Sequence, residues 1–268
     1  MKIRCYKVDA FAGQIFRGNP AAVCPLETWL PEATLQNIAA ENNLSETAFT
    51  VPRDGGFDLR WFTPTIEMDL CGHATLAAAF VLFNERNFAG NAIGFHSRSG
   101  ILHVTRNGEI LRLDFPSRPP QPCNAPVALV KGLGAQPANV LKSRDYLAVF
   151  KTAAEVQALR PDFAALKTLD SLGIIATAPG EDCDFVSRFF APQAGVDEDP
   201  VTGSAHCTLI PYWSQRLGKN KLFARQISQR GGELFCELAG DRVHIGGKAV
   251  LYLRGEIVLD DTSPIHEK

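Results

Sequence analysis

The segment MDLCGHATLAAAFVLF, Met68 to Phe83, decides how the rest of the chain is read. A thiol, a glycine and an imidazole stand side by side at Cys71, Gly72 and His73, and ten residues with almost no polarity follow. A helix that is apolar on every side must be buried all round. This one falls short of the roughly 20 residues that cross a bilayer, so protein must enclose it. A strongly curved sheet is the simplest enclosure, and Ala74, Ala77, Ala78 and Ala79 let strands approach closely. The first N–H groups of a helix lack partners and its start carries partial positive charge. The reactive groups therefore stand where a small anion would be held.

Working outward, the same pattern returns once. Arg60, Phe62 and Pro64 match Arg188, Phe190 and Pro192 at a spacing of 128 residues. Gly72 and Ala74 match Gly203 and Ala205 at 131, so the second copy carries extra residues before its helix. Downstream, Arg98, Gly100, Leu102 and Gly108 match Arg230, Gly232, Leu234 and Gly240 at 132, and upstream Pro52 matches Pro179 at 127. Four blocks in one order point to two homologous halves. The proline-rich Asp114–Pro126 region marks the boundary, drawn as 1–118 and 119–268. Each half reads as a strand, a helix (Leu30–Asn43; Pro161–Leu169), two strands, the apolar helix and then hairpins, one turning at Asn107-Gly108. The fold class is α+β: two domains, each a mixed curled sheet around a central helix.

The bulk composition narrows the function. With 268 residues and a formal net charge of −2, the chain has room for two domains of about 130 residues and no electrostatic footprint for nucleic acid or an anionic membrane. The opening MKIRCYKVDAF reads as a strand and not as a signal peptide. Seven cysteines, none in a CxxC spacing, read as free thiols in a reducing cytoplasm. No cluster of Cys or His along the chain has metal-ligand spacing, so no metal is expected.

Four motifs then carry a family resemblance: VDAF…F.GNPAAV (Val8–Val23), NLSETAF (Asn43–Phe49), FTP…CGHAT (Phe62–Thr75) and DEDPVTGSA (Asp197–Ala205). They resemble the PhzF-like family, relatives of the phenazine-biosynthesis isomerase within the diaminopimelate-epimerase fold. The resemblance implies an active site in the cleft between the two domains, no cofactor, a small carboxylated substrate and a homodimer. It also implies that the last strand, Gly247–Leu259, returns to the first domain. Residue by residue, it makes Glu46 the proton-shuttling carboxylate, His73 its partner, Asp199 the facing aspartate and Ser204 a polar ligand contact. Asn19 borders the substrate, and Cys71, Gly72 and Gly203 line the site.

One position departs from that pattern. The phenazine enzyme has alanine before its Gly-His, whereas epimerases and proline racemases of the same fold have a catalytic thiol there. They pair it with a second thiol in the other half. Here the repeat carries Cys71 onto Thr202, which disfavours a two-thiol racemase.

Each residue also has a plainer reading. Glu46 is a turn carboxylate; its repeat counterpart is Gly173, so the acid exists in one half alone. Asp199-Pro200 is a helix start, with Asp as N-cap and Pro as first helical residue. Ser204 is a common helix-start hydroxyl, Asn19 belongs to a turn, and Cys71 is a small buried hydrophobe. Three functions follow: an isomerase in which Glu46 moves a proton on a small carboxylated metabolite, a racemase or epimerase using Cys71, or a non-catalytic protein that binds small acids.

Overall fold

The computed structural model describes residues 1–260. The chain divides into two compact units: 1–16, 20–113 and 248–260 form the first, and 17–19 with 114–247 form the second. The second unit resumes at Asp114, the first residue of the proline-rich segment Asp114–Pro126. The C-terminal strand belongs to the first unit.

In chain order the first half comprises β1 (Lys2–Ala10), β2 (Asn19–Pro25), α1 (Glu32–Asn42), β3 (Glu46–Arg53) and β4 (Gly56–Phe62). It continues with β5 (Glu67–Met68), α2 (Gly72–Asn84), β6 (Ala92–Ser97), β7 (Gly100–Asn107) and β8 (Ile110–Pro116). The second half begins with β9 (Gln121–Pro122), α3 (Val127–Leu133), β10 (Asn139–Lys142), β11 (Tyr146–Val149), α4 (Ala153–Ala158) and α5 (Phe163–Leu166). Then come β12 (Ile174–Pro179), β13 (Phe185–Ala191), β14 (Val196–Asp199), α6 (Gly203–Leu217), β15 (Lys221–Gln226), β16 (Gly232–Ala239), β17 (Arg242–Gly247) and β18 (Ala249–Val258).

The apolar helix is enclosed as its composition demands. In α2, every residue from His73 to Ala79 is buried, as are Val81, Leu82 and Phe83. It packs on β1, β3 and β18, while α6 packs on β15, β16 and β17. Strand β18 runs antiparallel to β1 from Lys2↔Val258 to Ala10↔Ala249, and this long pairing ties 248–260 into the first unit.

Strand register shows how fully the halves repeat. Strand β3 is antiparallel to β4 with Thr47↔Phe62, and β12 to β13 with Ile174↔Phe190. The short β5 sets Trp61 opposite Met68, and β14 sets Phe189 opposite Asp199. Two parallel pairs also correspond, Phe57↔Phe95 and Phe185↔Ala224. The hairpins that follow agree as well, with Phe95↔Leu102 matching Ala224↔Leu234. All these partners obey the spacings of 127 to 132 read from the sequence.

Two local expectations are corrected. The helix expected over Pro161–Leu169 is the shorter α5, Phe163–Leu166, and an unexpected short helix, α4, precedes it. Thr152 and Glu155 form a capping box that starts α4 early, and Pro161 separates it from α5. The β7–β8 turn consists of Gly108 and Glu109, since Asn107 still pairs with Ile110. Gly108 takes the left-handed φ of 60° there, as Gly240 does with 66° in the matching β16–β17 turn.

Candidate functional site

The first unit gathers three reactive side chains at the start of α2. Cys71 is the N-cap residue, in extended conformation (φ −143°), and its side chain makes no capping hydrogen bond. Gly72 is the first helical residue, so His73 projects from the opening turn. Glu46 arrives from the opposite direction as the first residue of β3, not as part of a turn. The register of β3 against β4 and its parallel pairing with β2 (Ala21↔Glu46) fix where its side chain leaves the sheet.

The three groups converge on the His73 ring. His73 Nε2 lies 3.1 Å from Glu46 Oε2, with side-chain exposures of 6% and 14%. On the other side of the ring, His73 Nδ1 lies 3.5 Å from Cys71 Sγ. Burial acts to lower the His73 pKa, but the charges of Cys71 and Glu46 and hydrogen bonds to both outweigh it and hold the ring well above its ordinary value. Burial pushes the Cys71 thiol up, and the Glu46 charge pushes it further.

The second unit builds a different arrangement around Asp199. The amide of Asn19 donates to Asp199 Oδ1 at 2.7 Å, and the Thr202 hydroxyl donates to Asp199 Oδ2 at 2.5 Å. Gln226 completes the set: its Nε2 donates to the Asp199 carbonyl (2.8 Å), and its Oε1 accepts from the Thr202 N–H (2.9 Å). Both carboxylate oxygens of Asp199 are thus held in place. Asp199 is the last residue of β14 and does not cap α6; Thr202 is the N-cap residue, three positions later. The extra residues of the second copy separate the strand from the helix, so the aspartate is free of the capping duty its neighbour Pro200 suggested.

Asn19 is completely buried (0% exposed) and also donates to the Val201 carbonyl at 3.0 Å. Gly203 is the first residue of α6 and is buried. The hydroxyl of Ser204 accepts from Arg144 Nη2 at 3.1 Å, and that guanidinium also holds Asp145 at 2.8 Å. The first unit therefore brings Glu46, Cys71 and His73 together. The second joins Asn19 to Asp199 and places Ser204 beside Arg144.

Sequence reasoning passed over several supporting residues. Arg60 grips Glu67 with two 2.6 Å hydrogen bonds, and Arg188 grips Glu198 with bonds of 2.7 and 2.8 Å. Each guanidinium lies over the phenylalanine two residues on, 5.0 Å from the Phe62 ring and 4.9 Å from the Phe190 ring. These bidentate pairs tie the central strand to the segment entering each helix. The signal was available, because Glu198 follows Glu67 by the same 131 residues that separate the helix-start glycines. Arg144 and Gln226 carried no such signal.

Comparison with known proteins adds to this geometry. The family model described as phenazine biosynthesis-like protein matches residues 8–255. An uncharacterised isomerase of Pseudomonas aeruginosa is 54% identical over 259 residues, covering 97% of this chain and all of that protein. A crystal structure of a PhzF-family phenazine biosynthesis protein from Enterococcus faecalis superposes with a TM-score of 0.95 at 52% identity, over 97% of this chain and 100% of that one. A probable proline racemase from Agrobacterium radiobacter, at 13% identity and a TM-score of 0.62 over 98% and 95% of the two chains, shares the fold alone.

Proposed function

Since the chain belongs to the phenazine biosynthesis-like family, we propose that it is a cofactor-independent isomerase of a small carboxylated metabolite in which Glu46 carries the proton. One observation supports this above the others: a half-buried carboxylate held 3.1 Å from a buried histidine whose pKa is raised. The Glu46 carboxylate can take a proton from a carbon next to a carbonyl or double bond. It then returns the proton at another carbon of the same substrate. His73 stabilises the negative charge that develops between the two steps.

In this reading the substrate carboxylate meets the backbone N–H groups at a helix start, where Gly72 and Gly203 leave room for it. Asp199 steadies the substrate, Ser204 contacts it, and Asn19 acts through Asp199 by fixing its aim. The chain works as a cytoplasmic homodimer, which sedimentation would register at twice the 29.2 kDa chain mass. Among the described residues no helix is long and apolar enough to cross a membrane.

A second reading, a racemase or epimerase using Cys71, draws support from the 3.5 Å approach of its sulfur to His73. Two observations weigh against it. The thiol is pushed toward its protonated form, and the matching N-cap of α6 is Thr202, whose hydroxyl is committed to Asp199.

The test is a thermal-shift screen of small cyclic acids and amino acids, followed by solvent-deuterium exchange on each hit. Glu46→Gln is expected to keep binding and lose about 10²–10⁴-fold in exchange rate. Exchange at the wild-type rate in that variant would refute the assignment.

A further inference from the structure

Glu46, Cys71 and His73 have a second chemical character beyond proton transfer. Each offers one donor atom, and the three atoms lie within 4.8 Å of one another. The ligands are spread over two segments, which is why the linear spacing gave no hint of them. A thiolate, an imidazole and a carboxylate are the ordinary ligand types of zinc. Tetrahedral zinc bonds of about 2.3 Å to sulfur and about 2.0 Å to nitrogen put those two atoms roughly 3.5 Å apart. The separation of Cys71 Sγ and His73 Nδ1 is 3.5 Å.

Cation binding at this place also has a rigid base. Cys71 and His73 are fixed by the first turn of a buried helix, and Glu46 by its strand register. Glu46, whose carboxylate oxygen belongs to the same group of donors within 4.8 Å, supplies the third ligand and leaves a fourth position for water. Two neighbouring thiols elsewhere in the first unit, Cys5 and Cys24, share a hydrogen bond in an apolar cluster. That cluster's described members include no histidine or carboxylate.

We infer that Cys71 Sγ, His73 Nδ1 and a Glu46 carboxylate oxygen form a site for a borderline-soft divalent cation, zinc being the best match, and that its binding halts proton transfer. The ion displaces the thiol proton and the His73 Nδ1 proton to solvent and forms metal–sulfur and metal–nitrogen bonds, with no change of oxidation state. It occupies the imidazole lone pair and the Glu46 oxygen together, leaving no base for the substrate. The inhibitory part rests on the isomerase reading; the metal site itself does not.

The experiment titrates the chelator-treated full-length protein with cobalt(II), reading the thiolate-to-cobalt charge-transfer band and tetrahedral d–d bands, and then displaces cobalt with zinc. One saturable equivalent is expected in the wild type and in Cys24→Ala. Cys71→Ala should lose the charge-transfer band, and Glu46→Gln should keep it with affinity weakened about tenfold or more. No saturable band, or a band unchanged in Cys71→Ala, would overturn the site. Should Cys71→Ala fail to fold, an unmoved titration midpoint in both Glu46→Gln and His73→Gln would overturn it as well. Undiminished deuterium exchange at saturating zinc would overturn the inhibition alone. Loss of the isomerase reading would leave the cobalt result to decide the site by itself.

Discussion

At the start of α2 stand an acid, an imidazole and a thiol; at the start of α6 the same turns of chain carry a serine, a threonine and a glycine. The frameworks behind them are nearly the same. Each has an arginine–glutamate clamp, a short strand paired to the central one and a helix opening on glycine. Even the fourth helical residue has a conserved task, because Thr75 donates to the Cys71 carbonyl and His206 Nδ1 sits 2.8 Å from the Thr202 carbonyl. What differs is the set of side chains aimed away from the framework. Where the first half has Glu46, the second has Gly173, and a Cβ at Gly173 would collide with the Phe189 ring. Two matching scaffolds thus carry different side chains at their helix starts.

The clamps offer the largest test of that comparison. Arg188 is 11% exposed and also donates to the carbonyls of Val156 and Leu159. Arg60 is 21% exposed, and its partner Glu67 has Arg98 as a second cation at 2.6 Å. Arg188→Met should therefore cost about 3–5 kcal/mol, whereas Arg60→Met should cost about 1–2 kcal/mol. Urea unfolding of the two variants measures both; equal losses would break the account of the clamps.

The fourth helical residue gives the next effect. Burial lowers the His206 pKa to about 4, against an ordinary value near 6.5, so the folded state holds this ring neutral. Its contribution is fully present above pH ~6.5 and is lost as pH falls toward 4, reaching about 3 kcal/mol. Unfolding free energies at pH 7.5 and 4.5 should differ less in His206→Gln than in the wild type. An unchanged difference would mean the ring is hydrated or charged in the fold.

The smallest effect concerns the missing acid. Gly173→Ala should destabilise by about 1–3 kcal/mol through overpacking against Phe189. Trimming the ring with Phe189→Leu in the same chain should recover part of that loss. A neutral Gly173→Ala would show that the second half has room for a side chain it happens not to carry.

Much of the architecture was readable from the sequence, for a physical reason. An enclosed helix cannot hide its lack of a polar face, and a duplicated pattern of Arg, Phe, Pro and Gly keeps its spacing through divergence. The convergence of Cys71 and His73 was legible too, because one helix start carries both. Contacts between distant segments left no such trace. Asn19 reaches Asp199 across 180 positions of chain, and the return of β18 to β1 was anticipated by the family resemblance alone, not by any residue pattern. The expected N-cap role of Asp199 failed because three inserted residues moved the helix start to Thr202. The short helix α4 went unseen although Thr152 and Glu155 carry the spacing of a capping box.

The account stands on one carboxylate performing what two thiols do elsewhere on this fold. Its most direct measurement is the rate of solvent-deuterium incorporation into a bound acid, taken side by side for wild type, Glu46→Gln and Cys71→Ala. The account predicts near-complete loss in Glu46→Gln and a rate within about threefold of wild type in Cys71→Ala, the thiol lying outside the proton path. The reverse pattern, with Cys71→Ala silent and Glu46→Gln active, would contradict it.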